Sequence, residues 1–137
     1  MQITGTPTPL DLSNAIATVA DAPHAFPCRR CLTDAEPGEV LLLVSYDPWL
    51  VESPYRQPGP VFVHERPCEP AVRDALPEQQ RRRLLSVRAF DARGLPRDAF
   101  VTPGAELDLA AVLGDAEISF VHLHNAGPGC FAARVER

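Results

Sequence analysis

The residue types most able to do chemistry gather in the last eighteen residues, FVHLHNAGPGCFAARVER. Two histidines, His122 and His124, precede a turn rich in glycine and proline, and Cys130 follows it. If the histidine segment is a strand, its side chains alternate, so both imidazoles point to one face together with Ile118 and Phe120. An imidazole on an apolar face needs a polar partner, since an unpaired buried polar group costs about 1–3 kcal/mol. The sequence therefore predicts that another part of the chain meets these rings.

A zinc cofactor is one candidate for that partner. Cys28 and Cys31 form a C-x-x-C pair. Two thiolates with the imidazoles of His122 and His124 would supply the two-sulfur, two-nitrogen set that zinc favours. The alternative is that each histidine hydrogen-bonds to backbone or to a carboxylate. A C-x-x-C pair without a second ligand pair carries little weight, so the sequence favours the alternative over the metal site.

The main functional hypothesis is a pocket that binds a small anionic molecule and could act on it. One cysteine would be the nucleophile and one histidine the base, because an imidazole can hold a nearby thiol as the thiolate. The cysteines could instead be packed thiols, and the protein a binding or structural protein without catalysis. The residues assigned to the pocket are Cys28, His122, His124 and Cys130 for catalysis, and Arg29, Tyr55 and Asn125 for ligand binding.

Several other polar residues lie outside these two candidate sets. Cys68 stands among prolines with His64 nearby, and little in the sequence gives it a role. Arg88 and Arg134, on predicted strands, could add polar groups to a pocket or lie on the surface. The acidic residues between Asp34 and Glu39 match no metal-binding loop, so a solvated loop is the favoured interpretation.

Composition and charge exclude several classes of protein. The chain has 137 residues, a formal charge of −5 and four cysteines, which fits one domain over residues 1–137. Its one dense basic run, Arg81–Arg83, has no interleaved aromatic residues, so no nucleic acid partner is expected. No apolar run approaches the length of a membrane span, and the first residues lack the features of a signal peptide. We therefore expect a cytoplasmic protein without a membrane partner, whose cysteines are free thiols or metal ligands.

The pattern of apolar residues predicts an α+β fold with a mainly antiparallel sheet of about six strands, which could close into a barrel, and three short helices. Between Asp47 and Gly59, three prolines predict a structured loop that must bury the large rings of Trp49 and Tyr55. The strands are expected at 39–46, 60–64, 84–91, near 99–101, 117–124 and 130–136, and the helices at 10–20, from Pro70 with a restart at Pro77, and at 102–114.

Four segments together resemble the bacterial domain-of-unknown-function family 1203: PCRRCLTDAEPGEVLLLVSY, SPYRQPGPVFVHERPC, LLSVRAFDARG and HLHNAGPGCFAARVER. The resemblance runs from about Phe26 to the C-terminus and leaves residues 1–25 outside. It implies a small single-domain protein with no assigned activity. Cys31 is not part of the family's pattern, which counts against a C-x-x-C zinc site as the shared property. The positions that match are Cys28, Arg29, Tyr55, Gly59, Pro60, His122, His124, Asn125, Gly129 and Cys130.

Overall fold

A computed structural model describes all residues from 1 to 137. Nine strands form two sheets, and the remaining regular structure is two α-helices of four residues each and one 3₁₀ turn at Gly104–Glu106. The strands are β1 (Gln2–Thr4), β2 (Ile16–Val19), β3 (Val40–Tyr46), β4 (Gly59–His64), β5 (Val72–Arg73), β6 (Leu84–Phe90), β7 (Pro96–Pro103), β8 (Phe120–Asn125) and β9 (Phe131–Glu136). The helices are α1 (Glu78–Arg81) and α2 (Leu109–Val112). The fold is α+β and dominated by antiparallel sheet, and neither helix has the length or apolarity to cross a membrane.

The larger sheet has six antiparallel strands in the order β5-β1-β9-β8-β6-β7. Alternation along β6 and β8 sends Val87, Val121 and Leu123 to one face, where they belong to a core cluster of 13 buried residues. The opposite face carries Phe120 and His122, and both of these side chains are buried by the rest of the chain. That second face positions the histidines.

The smaller sheet has the order β2-β3-β4, with β3 in the centre. Val44 of β3 and Val61 and Val63 of β4 pack with Cys28 and Phe131 in a second cluster. This cluster is the link between the two sheets, because Phe131 is the first residue of β9 in the larger sheet. The C-x-x-C segment is therefore held between them.

Several expectations about the elements are wrong. The helix predicted for residues 10–20 is replaced by β2, because the β-branched Ile16, Thr18 and Val19 pair with β3 and favour a strand. The segment after Pro70 contains the short strand β5 instead of a helical turn. The sheet is not a closed barrel, because its edge strands β5 and β7 each pair with one neighbour only.

The helix predicted at 102–114 is also shorter than expected. Thr102 and Pro103 extend β7, where they pair with β6, and so cannot cap a helix. Asp108 caps α2 instead, with its side chain accepting from the amide of Ala111. The strands predicted at 84–91, near 99–101, 117–124 and 130–136 are present and pair as the hairpins β6–β7 and β8–β9, and the predicted helical restart at Pro77 is present as α1.

The loop of residues 47–59 lies over the histidine-bearing face of the larger sheet. Trp49 is buried in it, with its ring 4.8 Å from that of Phe90 and 5.1 Å from that of His122. Ser53 fixes the loop to the β6–β7 turn by donating its hydroxyl to the carbonyl of Gly94 at 2.7 Å. The predicted burial is confirmed for the ring of Trp49 and wrong for Tyr55, which is exposed at the rim of a cleft that the loop walls on one side.

Candidate metal centre and histidine cleft

The thiols of Cys28, Cys31 and Cys68 and the imidazole of His64 converge at one point beside β4. Their ligand atoms all lie within 4.8 Å of one another. Cys28 Sγ is 3.8 Å from Cys68 Sγ, and Cys31 Sγ is 3.6 Å from His64 Nδ1. From usual zinc bond lengths, a tetrahedral site has sulfur–sulfur edges of about 3.8 Å and sulfur–nitrogen edges of about 3.5 Å. The two separations match those of a tetrahedral set of ligands.

The backbone around the C-x-x-C pair is built as a tight loop on the edge of β4. The amide of Arg29 donates to the carbonyl of Phe62, and the amide of Leu32 donates back to Cys28. Leu32 has φ of 59°, the left-handed region that residues other than glycine adopt rarely. Strain of this kind is most common at functional sites. Here it lets the chain reverse directly after Cys31, so that both thiols face His64 at the end of β4.

His64 is oriented by a carboxylate on the side away from the thiols. Its Nε2 lies 3.3 Å from Glu39 Oε1, while Arg66 Nε donates to Glu39 Oε2 at 2.7 Å. A proton on Nε2 would leave the lone pair of Nδ1 directed toward Cys31 Sγ. An imidazole that ligates through one nitrogen and donates to a carboxylate through the other is the usual arrangement around bound zinc. The prediction that the acidic segment is only a solvated loop is therefore wrong for Glu39.

The electrostatics of the cluster favour negative charge on sulfur. A hydrogen bond from the Cys28 thiol lowers the pKa of Cys31 to about 4. Cys31, followed by burial, raises the pKa of Cys28, so the two thiols hold one proton between them. The backbone amide of His64 donates to Cys28 Sγ at 3.3 Å, and Arg30 Nη1 lies 3.8 Å from Cys68 Sγ. The backbone amide of Glu36, followed by Arg66, lowers the pKa of Glu39 to about 2.

His122 and His124 lie elsewhere, in the cleft under the 47–59 loop. Their rings are 6.3 Å apart on one face with Phe120, as strand alternation predicts. The ring of Phe131 contacts both of them and belongs to the cluster that contains Cys28. The predicted zinc set of Cys28, Cys31, His122 and His124 is therefore wrong in its two histidines. The two thiols lie beside His64 and Cys68 instead.

Ile118, predicted on the face of the histidines, belongs to the core cluster on the opposite side of the sheet. The reason is that β8 begins only at Phe120, so the alternation of the strand does not extend back to residue 118.

Cys130 and Asn125 lie at the base of the β8–β9 turn. Asn125 Nδ2 donates to Cys130 Sγ at 3.5 Å, and Cys130 lines a cavity of about 200 Å³ together with His124. His124 Nδ1 donates to the carbonyl of Gly129 at 2.9 Å, which leaves its Nε2 as an acceptor. Of the two predicted nucleophiles, the structure places Cys130 beside a histidine of this cleft and Cys28 in the candidate metal cluster.

Arg29 is not in a position to meet an anion from solvent. Its side chain is 1% exposed, and Nη1 donates to Gln79 Oε1 at 2.7 Å. Burial lowers its pKa to about 10, against the opposing effect of Cys130. Tyr55 does line the cleft and is 53% exposed. The cationic side chain in the cleft is that of Arg88, which the sequence leaves open as a surface or pocket residue.

Two residues of the candidate metal cluster, His64 and Cys68, are not predicted as metal ligands from the sequence. The signal is present as H-x-x-x-C, HERPC, which has the compact spacing of a second zinc-ligand pair. Combined with the C-x-x-C pair, it gives the two halves that a four-ligand site needs. The two halves lie far apart in the chain, and only the pairing of Cys28 with Phe62 of β4 brings them together.

The sequence matches the model of the family described as Protein of unknown function (DUF1203) over residues 25–137. The chain belongs to this family. The DUF1203 match contains all four residues of the candidate metal cluster and every residue of the histidine cleft, while β1 and β2 lie before it. No curated protein and no solved structure shows a significant match to the chain.

Proposed function

We propose that the protein binds a zinc ion through Cys28, Cys31, His64 and Cys68. The observation that carries the proposal is the convergence of three thiols and one imidazole at tetrahedral separations. Three sulfur ligands with one nitrogen are a common donor set for structural zinc. Thiolate ligands also disfavour magnesium and calcium, which prefer oxygen.

The role we propose for the ion is structural. All four positions of the tetrahedron are filled by side chains, whereas a catalytic zinc keeps one position for water or substrate. Cys28 and His64 are buried, so solvent has little access from their side. The ion would tie the C-x-x-C loop to the end of β4 and to the segment that carries Cys68. No disulfide joins these segments, since all four cysteines are free.

The surrounding charges suit this site. A zinc ion with three thiolates carries a net charge of −1, which the nearby guanidinium groups of Arg30 and Arg66 would balance. Arg66 is already paired with Glu39, so Arg30, which points at Cys68, is the more direct counter-ion. The charges of the protein therefore balance the site without a further cation.

The test is the metal content of protein produced with zinc and purified without chelator. We expect about one zinc per chain, lost in Cys68→Ser and retained in the matched variant Cys130→Ser, which removes the thiol outside the cluster. Alkylation by iodoacetamide, read by mass spectrometry, should label Cys130 in the metal-bound protein and all four cysteines after chelation and unfolding. Metal-free protein after reconstitution under reducing conditions, or full zinc content in Cys68→Ser, would contradict the proposal.

A further inference from the structure

The cleft under the 47–59 loop is separate from the metal cluster and has a second set of polar groups. It consists of two adjoining cavities of about 220 and 200 Å³, which share Gln57 and His124 in their walls. The first has aromatic walls from Trp49, Tyr55 and Phe90. Its volume lies below the roughly 300–1,000 Å³ typical of sites for drug-sized ligands, so an occupant must be small.

Arg88 supplies the only full charge in the lining of the first cavity. It lies on β6 directly beside His122 of β8. It makes no ion pair with any carboxylate of the chain, and its Nε donates to Ser86 Oγ at 3.1 Å. Arg134, on the other side of His122, is paired with Glu136. A half-buried guanidinium without a carboxylate partner, at the wall of an aromatic cavity, is suited to bind an anion.

The two histidines add hydrogen-bonding groups without adding charge. Burial lowers the pKa of His122 to about 3 and that of His124 to about 4, so both are neutral near pH 7. Arg134 Nη1 lies 3.2 Å from His122 Nε2, which must then accept, and so the proton of His122 is on Nδ1. That Nδ1 is buried and has no hydrogen-bond partner. The lining of the cavity therefore carries a single positive charge.

We propose that this cleft binds a small monocarboxylate, with its carboxylate on Arg88 and its apolar body against Trp49, Tyr55 and Phe90. One guanidinium matches the geometry of one carboxylate and can bind it in a bidentate manner. A phosphate dianion would need further positive charge, which the neutral histidines do not give. The aromatic walls favour a flat or apolar body over a purely polar one. The proposal is independent of the zinc site.

The second cavity limits how the ligand can extend. It begins at His124 and Gln57 and reaches Cys130 beside the prolines of the loop. A substituent on the apolar body could enter it and approach the thiol of Cys130. Binding of the carboxylate itself needs only the first cavity.

Trp49 is the single tryptophan of the chain and lines the first cavity, so its fluorescence reports on occupancy. The probes are benzoate, the uncharged benzamide of similar shape, and inorganic phosphate, each titrated into the full-length protein. Benzoate is expected to change the fluorescence saturably. In Arg88→Gln its affinity should fall about ten- to hundredfold, the usual effect of losing a charged hydrogen bond. In Arg88→Lys the loss should be smaller, because the charge remains.

The matched control is Arg93→Gln, which removes the same charge from an exposed side chain of the β6–β7 turn. It should bind benzoate as the unchanged protein does, and circular dichroism should show that all variants are folded. Three results would overturn the proposal: benzoate causes no saturable change, benzamide binds as tightly as benzoate, or Arg88→Gln binds benzoate with unchanged affinity. Phosphate binding tighter than benzoate would overturn the assignment to a monocarboxylate.

Discussion

Substitution of Glu39 by glutamine tests whether the carboxylate beside His64 belongs to a zinc site. Oε1 of Glu39 accepts from the backbone amide of Glu36 at 2.8 Å and faces His64 Nε2 at 3.3 Å. An amide oxygen can keep both contacts, so the fold should be preserved. What is lost is the negative charge that makes the imidazole a stronger ligand, together with the acceptor Oε2 of the hydrogen bond from Arg66 Nε. The change therefore separates the electronic contribution of the carboxylate from its shape.

The expected loss is about tenfold in zinc affinity, or about 1.4 kcal/mol. Outer-shell partners of zinc ligands are usually worth 10- to 100-fold. The lower end applies here for two reasons. The contact of 3.3 Å is longer than the ~2.7–2.9 Å of a strong charged hydrogen bond. Glu39 is also shared with Arg66, which neutralises part of its charge.

The assay is competition for zinc with a chromophoric chelator at constant pH and salt. Glu36→Gln is the control, because it removes the same charge from a side chain that is exposed three residues earlier. We expect Glu36→Gln to match the unchanged protein. Equal affinities for Glu39→Gln and the unchanged protein, or an equal loss in both variants, would refute the role of the carboxylate.

Two further predictions concern the cleft. Gly94 has φ of 76°, and a Cβ there would lie 2.8 Å from Ser53 Cβ, so Gly94→Ala should lower the free energy of unfolding by about 1–3 kcal/mol. Gly127→Ala, in a turn where a Cβ meets nothing within 4 Å, should have little effect, and equal urea midpoints for the two variants would contradict this. The pKa of His122 is lowered to about 3, chiefly by burial and then by the charges of Arg134, His124 and Arg88, while Asp47 acts in the opposite direction. Between about pH 6 and 4 the unfolded chain then binds a proton that the folded protein does not, so stability falls on acidification, by up to about 1.4 kcal/mol per pH unit. The free energy of unfolding of His122→Phe, measured by denaturation at several pH values in this range, should fall less steeply with decreasing pH than that of the unchanged protein. An equal pH dependence in the two proteins would disprove the lowered pKa of His122.

The strands with clear patterns were predictable because their side-chain alternation is a local property. The hairpins β6–β7 and β8–β9 follow from apolar alternation on either side of turn residues. Predictions failed where pairing overrides local preference. Residues 16–19 show a helix-like spacing, yet they form β2 because β3 offers a partner along its edge. Thr102 and Pro103 resemble a helix start, yet they pair with β6.

The candidate sites show the same division. The tyrosine, histidines and cysteine of the cleft were found from residue type, because a loop and a hairpin keep them near one another. Arg29 was misassigned because sequence alone does not show that its side chain turns into the interior toward Gln79. Arg88 has the cationic role in the cleft, and its position depends on the registry of β6 with β8.

By itself the sequence determined that His122 and His124 share a face, that a turn returns the chain to Cys130, and that Cys28 and Cys31 lie close together. Each of these depends on a few consecutive residues, whose geometry is set by strand alternation or a short turn. Only the tertiary structure decided which histidine meets the C-x-x-C pair. The backbone hydrogen bond from Arg29 to Phe62 brings His64 and Cys68 close to the two thiols. The ring of Phe131 separately packs against Cys28, His122 and His124. Contacts between distant segments depend on packing, which local periodicity does not specify.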